Sequence, residues 1–338
     1  MSHPLADLIA EKSFLLADGA MGTNLFAQGL MSGDSPEFWN LEHPERIRKV
    51  HQDFVDAGSD LVLTNSFGGN RHRLKLHNAQ GQVGELNRAA ARIAREVADA
   101  ASKKVLVCGS IGPTGEIFQP VGVLSHEEGV EAFAEQAMAL AEGGADVLWI
   151  ETISAQEELA AAVEGAARAG LPIVTTMSFD TNGRTMMGLT PEAALEAAHV
   201  LPVRPLGFGA NCGIGPAQLL HTVLSFRNVR DADDIIVAKG NCGVPEYVEG
   251  AIRYSGSPEI MATYARLARD AGAHIIGGCC GTSAEHVRAM REALDQHVPA
   301  RVPTLAEVEA LLGPIAFAGA APGHGGAEPA RRRSRRRD

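Results

Sequence analysis

The chain has 338 residues, 45% of them hydrophobic, and a net charge of −11. That length suits one large barrel or two ordinary domains, and the apolar fraction permits a sizeable core. Six of the 30 basic residues fall in 331–338, so residues 1–330 carry a net −16; an acidic body argues against a nucleic-acid-binding surface on the folded part, and no run approaches the roughly eighteen apolar residues of a membrane span.

Eight short apolar segments recur along the chain, each ending in a small or polar residue. In order they are Phe14–Ala17 before Asp18, Leu61–Thr64 before Asn65, Val105–Cys108, Val147–Ile150 before Glu151, Ile173–Thr176, Leu206–Phe208, Ile235–Ala238 and His274–Ile276. Between them lie stretches of helical period: Ile47, Val50, Phe54 and Val55 line one predicted face, and Leu86, Ala90, Ile93, Ala94 and Val97 another. Ser125, Thr190 and Ser283 stand as N-caps before acidic first turns. Near-continuous apolar strands alternating with helices predict a parallel sheet covered on its outer face. Eight such units predict a single-domain (β/α)8 barrel over residues 1–317, with a doubly wound open sheet as the other arrangement of the same units. Residues 318–338, rich in Gly, Ala and Pro and then Arg, lack the composition to bury a core and are expected to form a disordered tail.

In a barrel, catalytic groups collect at the carboxyl ends of the strands. That rule gathers Asp18, Asn65, Glu151, Cys212, Cys242, Cys279 and Cys280 at one pocket. Cys279 and Cys280 are adjacent in Gly277-Gly278-Cys279-Cys280-Gly281-Thr282, and neighbouring Cα atoms about 3.8 Å apart are poorly placed for a disulfide. Two such thiols suit a soft metal. With Cys212 as a third ligand, zinc would keep one tetrahedral position open for chemistry. Cys242 repeats the Asn-Cys-Gly of Cys212 thirty positions later and is held as a reserve ligand; Cys108, inside an apolar run, reads as core. The odd, uneven cysteine set and the absence of an amino-terminal basic-plus-apolar signal lead us to expect a reducing, cytoplasmic setting. The glycine-rich stretch Gly109–Gly115 lacks a P-loop ending, and Gly207–Gly213 lacks dinucleotide spacing.

Taken together, the strand-end motifs resemble the zinc-dependent homocysteine S-methyltransferases. The resemblance rests on Asp18-Gly19-Ala20-Met21-Gly22-Thr23, Thr64-Asn65-Ser66-Phe67, Gly109–Thr114, Ile150-Glu151-Thr152, Asn211-Cys212-Gly213 and Gly277–Thr282. Within the family the chain looks most like the short bacterial betaine-homocysteine methyltransferases and the homocysteine-binding domain of cobalamin-dependent methionine synthase. The resemblance implies that Cys212, Cys279 and Cys280 bind Zn2+ and that Asp18 and Glu151 hold the homocysteine ammonium. It implies also that amides around Gly19 and Ala20 receive the substrate carboxylate.

The donor is read from aromatic residues, because an onium group is held by ring faces. The vertebrate-type betaine enzymes carry tyrosines near the second and fourth strand ends, where this chain has Gly68 and Thr152. Trp39 in the first strand-to-helix loop is the ring expected to bind the donor, with Phe67 and Phe118 as further faces. Glycine betaine is therefore the expected donor, with dimethylsulfoniopropionate, S-methylmethionine and methylcobalamin as alternatives. A homocysteine-activating subunit serving a separate corrinoid protein is the second reading, and a non-catalytic zinc or thiol redox sensor the third. The expected partners are small molecules, with no membrane and no nucleic acid; the oligomeric state stays open.

Overall fold

The computed structural model describes residues 3–243, 245–248 and 251–315. The tail at 318–338 and the domain boundary at 317 lie outside the described residues. All eight apolar runs become strands: β1 (Leu15–Leu16), β2 (Leu61–Leu63), β3 (Leu106–Ile111), β4 (Val147–Ile153), β5 (Ile173–Met177), β6 (Gly207–Cys212), β7 (Ile235–Gly240) and, after a two-stranded insertion, β10 (Ile275–Gly278). They pair in parallel in the order β1-β10-β7-β6-β5-β4-β3-β2, and a bridge from Ala17 to Leu61 closes the ring. This is the (β/α)8 barrel, not the open sheet. The insertion is an antiparallel hairpin, β8 (Pro245–Val248) with β9 (Ala251–Tyr254), which pairs Pro245 with Tyr254 and Val248 with Ala251; nothing in the strand-helix alternation had suggested it.

The outer helices form where period and caps coincide. Helix Pro44–Asp56 buries Ile47, Val50, Phe54 and Val55, and helix Val83–Ala100 buries Leu86, Ala90, Ile93, Ala94 and Val97, the two predicted faces. Ser125 opens helix His126–Glu142 with a reciprocal capping box to Glu128, an arrangement whose loss costs about 1 kcal/mol. Among the described residues no helix is long and apolar enough to cross a membrane.

Inside the ring, alternate residues of each strand face the axis. Leu15, Ala17, Leu61, Leu63, Leu106, Cys108, Val147, Trp149, Val174, Val237 and Ile275 form one buried cluster, closed from below by Leu5 and Leu8 of helix Pro4–Lys12. Each fully buried large aliphatic or aromatic side chain there contributes about 1.5–3 kcal/mol. The amino-terminal end is locked by Asp60, wholly buried, whose carboxylate accepts from Lys12 at 2.7 Å, Lys103 at 3.2 Å, Arg291 at 3.2 Å and the Leu16 amide at 3.0 Å. That end serves stability, and the opposite end is free to carry chemistry.

Candidate active site

Two residues beyond each apolar layer the same strand faces turn polar. Cys108 is followed by Ser110, Trp149 by Glu151, Val174 by Thr176 and Val237 by Lys239; Asn211 joins them from β6 in register with Lys239. All five are buried. They form the floor of the site, and the cysteines stand just above it.

Cys212 ends β6, and Cys279 and Cys280 follow β10 directly. The three sulfurs lie within 4.8 Å of one another, and Cys212 Sγ is 3.9 Å from Cys280 Sγ. Tetrahedral zinc with Zn–S bonds of about 2.3 Å places its sulfurs about 3.8 Å apart, so the donor set fits that ion in chemistry and in spacing. Without a cation the thiols stay protonated. Contact with Cys279 pulls Cys212 down, but Cys280 and burial push it up on balance to about 12; Cys280 is pulled down by Cys212 and pushed up by Cys279 and burial, also to about 12.

The turn that carries the pair has strict backbone needs. A Cβ on Gly278 would lie 2.2 Å from the Thr282 side chain, and Gly281, at φ +80°, lies under the Tyr254 ring, whose nearest atom would be 2.3 Å from an added Cβ. Only glycine suits a positive φ under a packed ring. Two asparagines hold the turns in place. Asn211 Oδ1 accepts from the Thr152 amide at 3.0 Å and from Thr176 Oγ1 at 2.8 Å, while its Nδ2 donates to Thr152 Oγ1 at 2.8 Å and approaches Cys279 Sγ at 3.9 Å. Asn241 Oδ1 accepts from the Cys280 amide at 2.9 Å, and its Nδ2 donates to the Gly213 carbonyl. Neither asparagine had been singled out beyond its place beside a cysteine.

Asp18 and Glu151 share the site but not the same surroundings. Asp18 has a donor on each oxygen: Lys239 Nζ at 2.7 Å from Oδ1 and the Leu63 amide at 2.7 Å from Oδ2. Lys239 also donates to the Asp18 carbonyl at 3.3 Å, and both side chains are almost wholly buried. Burial pushes the Asp18 carboxyl up against the pull of Lys239; burial pulls Lys239 down, but Asp18 and Glu151 outweigh it and hold the ammonium protonated. A donor on each carboxylate oxygen decides for the ion pair. Glu151 accepts one hydrogen bond, from Ser110 Oγ to Oε1, and among the described residues its Oε2 accepts none. Burial pushes its carboxyl up, against the pull of Lys239. Lys239 went unassigned in the sequence; its signal was parity, two residues past inward Val237.

The remaining expected residues divide. The Ala20 amide is spent on the Thr282 carbonyl at 3.1 Å, whereas the Gly19 amide makes no hydrogen bond among the described residues. Gly19 also admits no side chain, since a Cβ would lie 2.5 Å from the Thr282 carbonyl oxygen. Trp39 is only 7% exposed, packs in the outer core, and already has the Arg46 guanidinium 4.6 Å above its ring and His43 at its edge; a donor cation there would have to displace Arg46. Phe118 is buried, and Phe67 is exposed. Cys242 does not join the cluster: it is fully buried and its S–H donates to the Gly256 carbonyl at 2.9 Å. Cys108 lies in the barrel interior, where burial pushes its thiol well up. The ring that does stand at the thiols is Tyr254, from the end of the hairpin. It is half-buried and packs over Gly281, next to Cys280, and burial, with the influence of Cys280, raises its phenol so that it stays protonated.

A profile of the homocysteine S-methyltransferase family matches residues 15–294. The methionine synthases of Mycobacterium tuberculosis and Mycobacterium leprae are each 30% identical over 306 residues, which cover 86% of this chain and 25% of theirs. The chain therefore spans about a quarter of the length of these curated relatives. Among solved structures, the metallated form of the homocysteine methyltransferase MmuM from Escherichia coli superposes with a TM-score of 0.73 at 24% identity, over 86% of this chain and 99% of that one. A methyltransferase from Methanosarcina mazei follows the same fold at a TM-score of 0.53 and 14% identity, over 84% and 94% of the two chains.

Proposed function

The chain belongs to the homocysteine S-methyltransferase family, and we propose that it moves a methyl group from a small onium donor, glycine betaine first, to the sulfur of L-homocysteine, with zinc held by Cys212, Cys279 and Cys280. The observation that carries this reading is the convergence of three thiols above a floor that includes Glu151. Bound by these thiols, zinc would supply one thing, a cation able to lower the pKa of a fourth thiol from its ordinary value of about 8.5.

The chain's own groups do the rest. Glu151 draws the substrate ammonium into the floor, next to the Asp18–Lys239 pair, and the Gly19 amide, which makes no hydrogen bond among the described residues, donates to the substrate carboxylate. Asn211 and Asn241 keep the two cysteine turns from drifting, so that the substrate sulfur and the donor methyl meet in line. In the transfer the S–CH3 bond forms as the C–N bond of the onium breaks. The nitrogen keeps the electron pair, leaving a neutral tertiary amine and the thioether of methionine. For the donor cation our reading favours the Tyr254 ring, which packs over Gly281 next to Cys280, over Trp39, whose face Arg46 already covers.

A second reading, a homocysteine-activating unit that serves a corrinoid carrier, is favoured by the resemblance to one quarter of methionine synthase and by Gly68 and Thr152 at the positions where the betaine enzymes carry tyrosines. Purified zinc-loaded protein should be given homocysteine with betaine, dimethylsulfoniopropionate, S-methylmethionine or free methylcobalamin, and methionine measured. Methionine from betaine supports the first reading, and methionine from methylcobalamin alone replaces it with the second. Zinc binding with no methionine from any donor would leave the thiol sensor.

A further inference from the structure

We propose that Lys239 is a specificity-determining positioning residue: it fills the Asp18 carboxylate with an internal ammonium, so that Glu151 alone reads the amino group of the substrate. This rests on homocysteine being the substrate. The two acids resemble one another in sequence, each a carboxylate at a strand end, but they differ in what is left to bind. Both Asp18 oxygens already hold donors at 2.7 Å, one a lysine ammonium and the other a main-chain amide. Glu151 Oε2 holds none among the described residues, and Glu151 is the more exposed of the two, at 8% against 2%. A substrate ammonium arriving from the cysteine side would find in Glu151 Oε2 the one oxygen of the two carboxylates that has no donor among the described residues.

Charge supports the same assignment. Asp18 and Lys239 cancel, which leaves a single negative charge on the floor to match a single positive charge on the substrate. An uncancelled second carboxylate would add like-charge repulsion beneath three thiolates. Lys239 thereby does from inside the barrel what a second substrate cation would otherwise do. Its stem runs inward from β7, in register with Asn211 and Gly277, so the ammonium is fixed by the barrel wall and not by a loop.

The test compares homocysteine with 4-mercaptobutanoate, the same thiol acid without the amino group, binding to the zinc-loaded protein by calorimetry at pH 8. The wild-type protein should prefer homocysteine by about thirtyfold, the worth of one charge-assisted hydrogen bond. Glu151→Gln should bind the two thiols within about threefold of each other, with zinc content unchanged. A preference of tenfold or more surviving in Glu151→Gln would show that Asp18 still reads the ammonium and would overturn the proposal. The double variant Glu151→Gln with Lys239→Met supplies a readout that a merely structural lysine would not move: Asp18, released from its internal partner, should take over the ammonium and restore a preference of at least tenfold. No restoration in a folded, zinc-loaded double variant overturns the role given to Lys239. If the wild-type protein binds neither thiol, the homocysteine reading itself fails, which is a different result from either of these.

Discussion

Asn211-Cys212-Gly213 and Asn241-Cys242-Gly243 are the same tripeptide at the carboxyl ends of neighbouring strands, yet one sulfur enters the three-thiol cluster and the other is sealed away. Cys212 sits in the left-handed region at φ +62°, and the chain goes on through Gly213 to helix Pro216–Phe226, leaving the sulfur at the mouth beside Cys280. After Gly243 the chain makes the hairpin and returns through Gly256, whose amide donates to the Cys242 carbonyl at 3.0 Å. An added Cβ on Gly256 would lie only 2.7 Å from Cys242 Sγ. A strand end brings a side chain near the axis; what the following loop lays over it decides whether it reaches the cluster.

The largest test of that contrast is metal content. Cys212→Ala should lose the single zinc expected per chain and all methyl transfer, because two thiolates do not complete the site, while Cys242→Ala should keep full zinc by elemental analysis. Equal zinc in both variants would erase the distinction. A smaller effect is expected from the asparagine of the second turn. Asn241→Ala removes the acceptor of the Cys280 amide, so zinc affinity should fall about 10–100-fold, as for other residues that orient ligands. Competition with a chelator measures it, and an unchanged zinc affinity would reduce Asn241 to a loop residue.

The hairpin that hides Cys242 also delivers Tyr254, which separates two candidate donor rings. Tyr254→Ala should raise the KM for betaine about tenfold with little change for homocysteine, and Tyr254→Phe should retain most of the affinity because the ring face remains. Trp39→Ala should instead lower the melting temperature, as for a buried aromatic, without a donor-specific KM change. A betaine-specific effect at Trp39 and none at Tyr254 would return the donor to the first loop.

Period and punctuation made the barrel legible. Every apolar run named in the sequence is a strand, because parallel strands buried on both faces admit few polar residues. The cysteine triad was legible for a related reason: Gly278 and Gly281 are tied to a turn that tolerates no side chain. Lys239 was missed because the seventh run was ended at Ala238, one residue short of the inward position. The burial of Trp39 was not legible because a loop residue has no periodicity to say which way it faces, and its cover, Arg46, comes from the next helix. The hairpin escaped because it interrupts the strand-helix alternation that located everything else.

The smallest expected effect concerns Cys242 itself and depends on pH. Burial pushes its thiol from the ordinary 9 to about 11, so the folded state favours the protonated sulfur that donates to Gly256. A raised pKa in an acid means that the folded state holds its proton longer than the unfolded chain does. The contribution is complete below about pH 9 and is lost progressively as pH rises through 11. Cys242→Ala should therefore cost about 1–2 kcal/mol at pH 7, within the range of a single buried substitution, and the gap from the wild-type protein should narrow in denaturant melts between pH 9 and 11. A gap that stays constant across that window would mean that the sulfur contributes by packing alone and that its proton on Gly256 is of no account.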